Sequence, residues 1–574
     1  MKILKGKWHL LFKFIKRNRL LVTATLISGL IYNVFTLLIP LGIGRFYEFN
    51  FDISSQRLKI FESVSFLHTE SFIHFLLFFV LVVLFRFIFE YINRYLISII
   101  GESFTKNLRE QLFEHQLQIS SPIYDQKGIG KYLLRYSGDL KSIRNYISKG
   151  LFKYLQDILL ILFLLTAILF IDIYIGIIFS ILIVLANIIL FFLNKAVYKI
   201  SVSQRNQRSG LLTYINTRLR AIASIKAFNK YFIEQKRYVK RSEKLYQTGK
   251  KYQAAANLVY AVIPAITYLM IALLMWYVYF IKAKMGDTFN VTSFFVLLLL
   301  VISFLPILRR TLRVSIIWKL GNISFEKLLN IFSFEAENKL SPTKSDLSNK
   351  IIRFKNVDFR YPESPNFVFK NLNVSFSPGE TTAIIGDSGT GKSTFINLVL
   401  KIYQPANGDI YYGKYNQNQL SEKTIRRNLS LVSENFPLYG KTVYEAITYS
   451  RKKGMEQKAE QLLNELQKYE NESNKLKLQD TIGDLGKSLT GGQKRILMYC
   501  RMLLTNKPWM LINGPLNNLK PDTANHIINM LNELQKEKSF IVFDTQIPKG
   551  LKTKQVYFIK DNIFVPEANK TDKK

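Results

Sequence analysis

Long apolar runs with few charges alternate with basic segments through the first half of the chain. Each run approaches or exceeds the roughly 20 residues that a helix needs to cross the hydrocarbon core of a bilayer. The pattern therefore predicts six membrane-spanning helices. They are Leu20–Gly44, Phe72–Ile92, Leu151–Ile171, Tyr174–Leu193, Leu258–Ile281 and Val291–Leu308.

Amphipathic segments flank these runs. Residues 2–19 mix seven Lys and Arg side chains with aromatic and aliphatic ones, which is typical of a helix lying on the membrane surface. Beyond the spans, apolar residues recur at helical spacing, so spans two to five are expected to continue as helices into the aqueous phase. The recurring positions are Leu108, Leu112, His115 and Ile119, and Leu211, Ile215, Leu219 and Ile222. His115, with no second histidine near it, is expected to be a packing residue.

The distribution of charge predicts the orientation. Residues 194–255 hold fifteen Lys and Arg against Glu234 and Glu243, whereas residues 46–71 hold only two basic residues against four acidic ones. Because basic loops stay in the cytoplasm, the N-terminus and residues 101–150 and 194–255 are predicted to be cytoplasmic. Topology then accounts for much of the net charge of +38, so nucleic acid is excluded as a partner and membrane lipid is expected.

Two features inside the predicted spans leave alternatives open. Arg86 and Glu90 lie four residues apart in the second span, where they would either line a polar cavity or satisfy each other near a helix contact. Pro40, Pro264 and Pro306 would either kink their helices or be ordinary transmembrane prolines. Cys500 is the one cysteine, which excludes an intrachain disulfide framework.

The sequence changes character after the last span. Residues 1–332 are assigned to the membrane domain, polar residues 333–350 to a linker, 351–565 to a second domain and 566–574 to a basic tail. The second domain has short β-type runs alternating with helical patterns, which favours an α/β fold with a parallel core. The predicted strands include Val357–Arg360, Val374–Phe376, Thr382–Ile385, Leu429–Val432, Met510–Ile512 and Phe540–Phe543.

A phosphate-binding loop follows one of these strands. The pattern G-x-x-x-x-G-K-[ST] stands between the apolar run that ends at Ile385 and an amphipathic stretch from Phe395 to Leu400. Glycines let the backbone wrap a phosphate chain, and the helix N-terminus attracts the anion. Lys392 would reach the terminal phosphates and Ser393 would face Mg²⁺. The loop comprises Gly386, Asp387, Ser388, Gly389, Thr390, Gly391, Lys392, Ser393 and Thr394.

A second motif of five residues lies about a hundred positions later: Leu489, Thr490, Gly491, Gly492 and Gln493. With both motifs in this order after six spans, the sequence resembles the ATP-binding cassette (ABC) transporter family, in its exporter-type half-transporter form. The resemblance implies an all-α six-helix transmembrane domain fused to an α/β P-loop ATPase domain, with ATP and Mg²⁺ as cofactors. It implies that Tyr361 stacks on adenine and that Thr490 to Gln493 contact ATP held by an opposite cassette. It also likens Gly128–Leu140 and Ile222–Phe228 to intracellular loops that touch the cassette.

Five positions depart from the family pattern. Asn513 replaces the aspartate that supports Mg²⁺, and Gly514 replaces the glutamate that polarises the attacking water. Thr545 falls at the histidine that senses the γ-phosphate. Glu434 falls at a glutamine, where its charge needs Mg²⁺ or a proton to offset it, and Lys520 replaces an aspartate of the dimer-contact loop. No confident catalytic residue is therefore assigned to the chain.

These departures predict the degenerate half of a heterodimeric exporter, which binds ATP but hydrolyses it poorly at its own loop. The partner would be a second half-transporter with an intact cassette, and the transported substrate is not readable. The alternative is a regulatory or structural membrane subunit that only senses nucleotide. A multi-pass protein of the bacterial inner membrane is expected, with its N-terminus and cassette in the cytoplasm.

Overall fold

The chain divides into two compact units in the computed structural model. The first comprises Met1–Gln116 and Ile129–Ser333, and the second comprises Leu117–Gly128 and Phe334–Lys574. Each is described by itself. The structure describes residues 2–51, 71–127, 132, 135–285, 291–311, 314–337, 346–362, 364–449, 454–560 and 562–566.

The first unit is built from helices. The helices of the first unit are α1 (Lys2–Arg17), α2 (Arg19–Phe51), α3 (Phe72–Gln118), α5 (Leu140–Asn145), α6 (Tyr154–Ile171), α7 (Ile173–Arg220), α8 (Ile222–Ala227), α9 (Tyr231–Met285), α10 (Val291–Thr311) and α11 (Val314–Phe332). The short helix α4 (Ser121–Lys127) and the last two residues of α3 belong to the second unit. Two π-helical stretches, Arg135–Asp139 and Tyr146–Lys153, lie on either side of α5.

Six segments of the described chain are long and apolar enough to cross a membrane, as predicted. They are Arg19–Tyr47, Phe72–Gln118, Arg135–Ile171, Ile173–Arg220, Tyr231–Phe280 and Ser293–Phe332. The four middle segments are 37 to 50 residues long, well above the roughly 20 residues that a span needs, as expected for helices that continue beyond their apolar stretches. The prediction of the orientation used a loop with few basic residues, 46–71. Most of that loop, residues 52–70, lies outside the described residues.

Apolar side chains sort into a helix-facing core and an outward-facing surface. Leu164, Leu300 and Phe304 are fully buried between helices, whereas Phe87 and Phe192 are mostly exposed, as suits contact with lipid. Pro40, Pro264 and Pro306 all lie inside continuous helices. His115 packs against Phe332, and its Nε2 lies 3.0 Å from the carbonyl oxygen of Ile331.

The second unit contains two sheets. Its strands are β1 (Ile352–Phe359), β2 (Phe369–Phe376), β3 (Thr381–Ile385), β4 (Asn407–Tyr412), β5 (Tyr415–Asn416), β6 (Leu429–Val432), β7 (Trp509–Asn513), β8 (Ser539–Asp544), β9 (Gln555–Lys560) and β10 (Ile563–Pro566). The order β2-β1-β4-β5 forms an antiparallel sheet, and β10-β9-β3-β8-β7-β6 forms a sheet that is parallel from β9 to β6.

Helices accompany these sheets. They are α12 (Lys392–Val399), α13 (Glu422–Arg427), α14 (Val443–Thr448), α15 (Glu456–Leu466), α16 (Gly491–Thr505) and α17 (Pro521–Leu534). Every residue of β3 is buried, because this central strand is covered on both faces. All six predicted strands exist, whereas β4, β5, β9 and β10 were not predicted. Each of these four carries polar or half-buried positions.

Residues 117–128 group with the second unit, although the sequence placed them in the membrane domain. Ile119 forms a β-bridge with Ala336, and the Tyr403 hydroxyl donates to the Asp125 carboxylate. The loop likened to the family's first intracellular loop, Gly128–Leu140, begins in residues 128–131 and 133–134, which lie outside the described residues. The assignment of Gly128–Leu140 to a loop that touches the cassette therefore stays a prediction.

Candidate nucleotide-binding site

The loop Gly386–Thr394 connects β3 to the start of α12, as the motif predicts. Gly389 and Gly391 adopt φ of +91° and +103°, a conformation that favours glycine. At Gly391 a Cβ atom would also lie 2.7 Å from a methyl group of Val368, so glycine is required there on two counts. The result is a tight turn that exposes backbone N–H groups beside a helix N-terminus, which suits phosphate binding.

Lys392 lies folded across this loop. Its ammonium group donates to the carbonyl oxygens of Gly386 and Asp387, the latter at 2.9 Å. Burial lowers the pKa of Lys392, and the nearby carboxylates of Asp544 and Asp387 act in the opposite direction. The charge is thus held at the mouth of the loop, where terminal phosphates would take over from the two carbonyl oxygens.

The next two residues of the loop are already hydrogen-bonded to other segments. The Ser393 hydroxyl accepts from the Asn435 amide at 2.7 Å, and Thr394 shares a hydrogen bond of 2.8 Å with Tyr361. Tyr361 is partly buried and packs edge-on against Tyr403 with ring centroids 5.3 Å apart. The structure therefore places the predicted adenine-stacking residue directly beside the phosphate-binding helix.

Four strand ends meet at one edge of the sheet. Because Ile385 is level with Asp544, Asn513 with Phe543, and Val432 with Ile512, the residues that follow β3, β8, β7 and β6 lie side by side. Oxygen donors at this edge, namely Ser393, Asn513 and the Asp544 carboxylate, are the type that Mg²⁺ prefers. The residues present therefore fit the cation, with Asn513 contributing a neutral oxygen.

Gly514 has a backbone that is unfavourable for a side chain. Its φ is +63° and its N–H donates to the Phe543 carbonyl oxygen at 2.8 Å. A Cβ atom built on it would lie 2.3 Å from Nδ2 of Asn517. A glutamate at this position would therefore need a strained backbone conformation and a shift of the Asn517 side chain.

The charge of Glu434 is offset by a residue that the sequence analysis missed. Arg495 is only 1% exposed, and its Nη2 donates to Oε1 of Glu434 at 2.7 Å while its Nη1 donates to the carbonyl oxygen of Asn513 at 3.0 Å. Asn518 donates to the same carboxylate oxygen at 3.1 Å. The sequence could have indicated Arg495 as a buried cation, because it lies two positions after Gln493 on the apolar face of α16.

Thr545 is tied to its own neighbour. Its backbone N–H donates to Oδ1 of Asp544 at 2.7 Å, and its hydroxyl lies 3.4 Å from the same oxygen. Asp544 ends β8 and was also missed by the sequence analysis. It adjoins the start of the phosphate-binding loop, since its carbonyl oxygen accepts from the N–H of Gly386 at 3.1 Å.

The signature residues cap α16. The Thr490 side chain accepts from the N–H of Gln493, and the Gln493 side chain accepts from the N–H of Thr490, which completes a capping box. A Cβ atom on Gly492 would lie 2.8 Å from the Asn518 carbonyl oxygen, so the glycine permits close approach. Within the described residues, no hydrogen bond joins this motif to the loop Gly386–Thr394. Lys520 is paired within its own chain, 3.1 Å from Glu470.

A second cluster of charged residues lies among the membrane helices. Arg310 forms two hydrogen bonds of 2.9 Å with Asp157, and Lys153 lies 3.4 Å from the same carboxylate. Glu90 lies 3.5 Å from Arg86 and 2.5 Å from Arg94. Arg86 and Glu90 are therefore paired, as one of the two interpretations held. We call these six residues the interhelical charge cluster; it holds four cations against two carboxylates.

The interhelical charge cluster has polar neighbours. Tyr32 presents its ring to Arg86 and Lys153, at 5.7 and 5.1 Å from the ring centroid. Gln156 is fully buried and exchanges two hydrogen bonds of 2.9 Å with Asn93. Such a concentration of polar groups among apolar helices is costly and usually marks a functional pathway.

Comparisons with known proteins agree with this architecture. Residues 22–306 match the ABC transporter transmembrane region, and residues 369–517 match the ABC transporter cassette. ATP-dependent lipid A-core flippases are similar over most of the chain. The protein from Pasteurella multocida is 25% identical, covering 83% of this chain and 82% of that protein, and the one from Pectobacterium atrosepticum is 23% identical, covering 84% and 83%.

A solved structure shows the same fold. A bacterial Atm1-family ABC exporter with ATP bound superposes with a TM-score of 0.80 at 18% identity, covering 95% of this chain and 94% of that one. The two family matches stand in one chain in the order that the motifs predict. The chain therefore belongs to the ABC transporter family, as an exporter-type half-transporter with its transmembrane region and ATPase domain fused.

Proposed function

We propose that this chain is the ATP-binding, poorly hydrolysing half of a heterodimeric exporter. The observation that carries the proposal is Gly514, which brings no general base to the end of β7 and whose φ of +63° and close neighbour Asn517 disfavour a larger residue there. The carboxylate of Glu434 offers no simple substitute, because Arg495 and Asn518 already engage it.

ATP binding itself is supported by the intact loop. Its glycine turns, the ammonium group of Lys392 and the start of α12 provide the contacts that hold phosphates, while Ser393 and Asn513 would hold Mg²⁺. Phosphoryl transfer relies mainly on positioning and electrostatics. Loss of a general base costs about 10²–10⁴-fold, so residual turnover rather than none is expected at this site.

The signature supports a partner rather than a solitary subunit. Thr490, Gly491 and Gly492 lie at the N-terminus of α16 with an organised capping box, as a surface for the γ-phosphate of an opposite cassette would require. A partner that supplies an intact Asp-Glu pair would make one competent site of the two. The alternative, a subunit that only senses nucleotide, has no use for an organised signature.

The interhelical charge cluster supports an anionic, amphipathic substrate. Its cations remain partly accessible, with side-chain exposures of 33% for Arg86, 20% for Lys153 and 39% for Arg310. Excess positive charge beside apolar helices suits a molecule with an acidic head group and an apolar body. The relatives to which the chain is similar are named lipid A-core flippases, which supports a lipid as the substrate class. The bacterial inner membrane is the location that this proposal implies.

The test of asymmetric hydrolysis is an ATPase comparison in lipid nanodiscs. The chain is purified alone and after co-expression with a half-transporter that has the intact Asp-Glu pair. We expect activity only in the pair, and we expect it to survive Lys392→Ala better than loss of the partner's equivalent lysine. Vigorous Mg²⁺-dependent activity of this chain alone, lost in Lys392→Ala, would overturn the proposal.

The substrate is tested in the same heterodimer reconstituted into vesicles. Fluorescent phosphatidylglycerol and phosphatidylcholine analogues differ in net charge at matched acyl chains. We expect ATP-dependent movement of the anionic analogue and a loss in Arg310→Gln, while Arg309→Gln, next to it, serves as the matched control. Equal movement of both analogues would contradict the role of charge.

A further inference from the structure

We propose that Asp544 supplies the acidic oxygen that Mg²⁺–ATP needs at this cassette, in place of the carboxylate missing at Asn513. The inference rests on the proposed function and deepens it. It names a positioning residue on β8, the strand between β7 and the strand of the phosphate-binding loop.

Two carboxylates stand at this edge of the sheet on either side of Asn513. Glu434 lies two residues beyond Val432, the end of β6, and Asp544 ends β8. The strand registers set both carboxylates one residue beyond Asn513, which is level with Phe543. Negative charge is thus absent from the end of β7 but present on both neighbouring strands. The question is which of the two carboxylates is available to a cation.

Glu434 is already neutralised. Its partner Arg495 is a buried cation that would be left without a counter-charge if Glu434 turned to another ligand. Asn518 adds a third hydrogen-bonding group to the same site. Recruiting Glu434 to a metal would therefore require an unpaired buried guanidinium, which is costly.

Asp544 is less committed and closer to the loop. Within the described part of the chain, its carboxylate accepts hydrogen bonds from Thr545 alone, and these reach only Oδ1. Ile385, the last residue before the loop, is its register partner in the sheet. Asp544 and Lys392 both contact Gly386, whose N–H donates to the Asp544 carbonyl oxygen at 3.1 Å and whose carbonyl oxygen accepts from the Lys392 ammonium group. The Asp544 charge also acts to raise the pKa of Lys392, against the larger effect of burial.

This position gives the carboxylate two opposite effects. Without a metal, a carboxylate beside Lys392 repels the terminal phosphates of ATP. With Mg²⁺, the same carboxylate offers the hard anionic oxygen that the cation prefers, directly or through a bound water. ATP binding to this chain should therefore depend strongly on Mg²⁺, and the dependence should reside in Asp544.

The experiment measures the affinity of the full-length chain for a fluorescent ATP analogue in nanodiscs, with Mg²⁺ and with EDTA. The readout is the dissociation constant in EDTA divided by the dissociation constant with Mg²⁺. This ratio reports how much Mg²⁺ strengthens binding, and it does not depend on hydrolysis. For Asp544→Asn we expect the ratio to fall about tenfold, since a negative charge next to the phosphate-binding loop is removed. Asp522→Asn, the same change at an exposed residue in the first turn of α17, should leave the ratio unchanged.

A double variant tests whether the effect comes from the lost charge or from damage to the fold. In Asn513→Asp/Asp544→Asn the carboxylate moves one strand along the edge, and the Mg²⁺ dependence should return. Thermal unfolding of each variant establishes that it is folded. Should Asp544→Asn fail to fold, Asn513→Asp in the wild-type chain still tests the idea, because a second carboxylate should then change the ratio only slightly.

The outcomes separate this inference from the proposed function. An unchanged ratio in Asp544→Asn, or an equal fall in Asp522→Asn, overturns the role of Asp544 alone. No ATP binding with or without Mg²⁺ contradicts the proposed function and the inference with it. A lowered ratio that the double variant restores supports both.

Discussion

The strands β3 and β7 end at the same edge of one parallel sheet, with only β8 between them, and are followed by chemically opposite sequences. β3 leads into two left-handed glycines, Lys392 and a helix N-terminus, all of which favour an anion. β7 leads into Asn513 and Gly514, which bring no charge. ATP binding depends on the backbone geometry after β3, whereas hydrolysis depends on one side chain after β7. A cassette can therefore lose the second property and keep the first.

The largest expected effect comes from the signature. Gly492→Asp would place a side chain against the Asn518 carbonyl oxygen and a negative charge toward the partner's ATP. Loss of oriented donors at a phosphate typically costs about 10²–10³-fold, and we expect a loss of that size in heterodimer ATPase activity. Thr490→Ser, which keeps the capping hydroxyl, is the control. An active Gly492→Asp heterodimer would mean that the signature faces no catalytic site.

The phosphate-binding loop should show the next effect. Lys392→Ala removes the ammonium group that now spans two loop carbonyl oxygens, and charge-assisted contacts to phosphate are among the strongest hydrogen bonds. We expect ATP affinity of the chain alone to fall by about 10–100-fold. Lys414→Ala is the control. Retained affinity in Lys392→Ala would contradict binding at this loop.

Removing either partner of the Glu434–Arg495 pair should have unequal consequences. Arg495 is buried, whereas the Glu434 side chain is 56% exposed. Glu434→Ala leaves a buried cation unpaired and should lower the free energy of unfolding by about 2 kcal/mol, whereas Arg495→Gln leaves a carboxylate that water can reach. Chemical denaturation of both variants provides the measurement. A greater loss in Arg495→Gln would show that packing of the long side chain outweighs charge.

Restoring the missing glutamate should fail on its own. Gly514→Glu forces a side chain into a backbone with φ of +63° and against Asn517, at a cost of about 1–2 kcal/mol. We expect no gain in ATPase activity of the chain alone, and a gain only when Asn517→Ser relieves the contact. Full activity of Gly514→Glu would show that the strand end adapts freely.

The smallest effect is expected at Tyr361. Tyr361→Phe keeps the ring but removes its hydrogen bond to Thr394, a contribution of about 1 kcal/mol. ATP affinity should fall only a few-fold, whereas Tyr361→Ala should cost more because stacking is lost. Nucleotide titration of both variants decides between these two contributions. Equal losses of ATP affinity in the two variants would show that the hydroxyl group accounts for the whole contribution and that the ring does not stack on adenine.

The membrane spans and the phosphate-binding loop could be predicted from the sequence alone, because each depends on residues that are close together in the chain. Apolar runs of membrane length predicted the six spans, and the glycine-rich loop predicted the turn from β3 into α12. Both depend on the spacing of a few neighbouring residues. Strands β4, β5, β9 and β10 escaped prediction because their polar and half-buried positions form no such local pattern.

Only the tertiary structure decided which charges meet. Glu434 and Arg495 are 61 residues apart, and Asp544 reaches the phosphate-binding loop through strand pairing. The sequence showed that carboxylates were missing at two positions, but it could not show that others stand on the neighbouring strands. Proximity in a parallel sheet depends on strand order and register, which are set by the packing of the whole domain rather than by the residues that come to lie together.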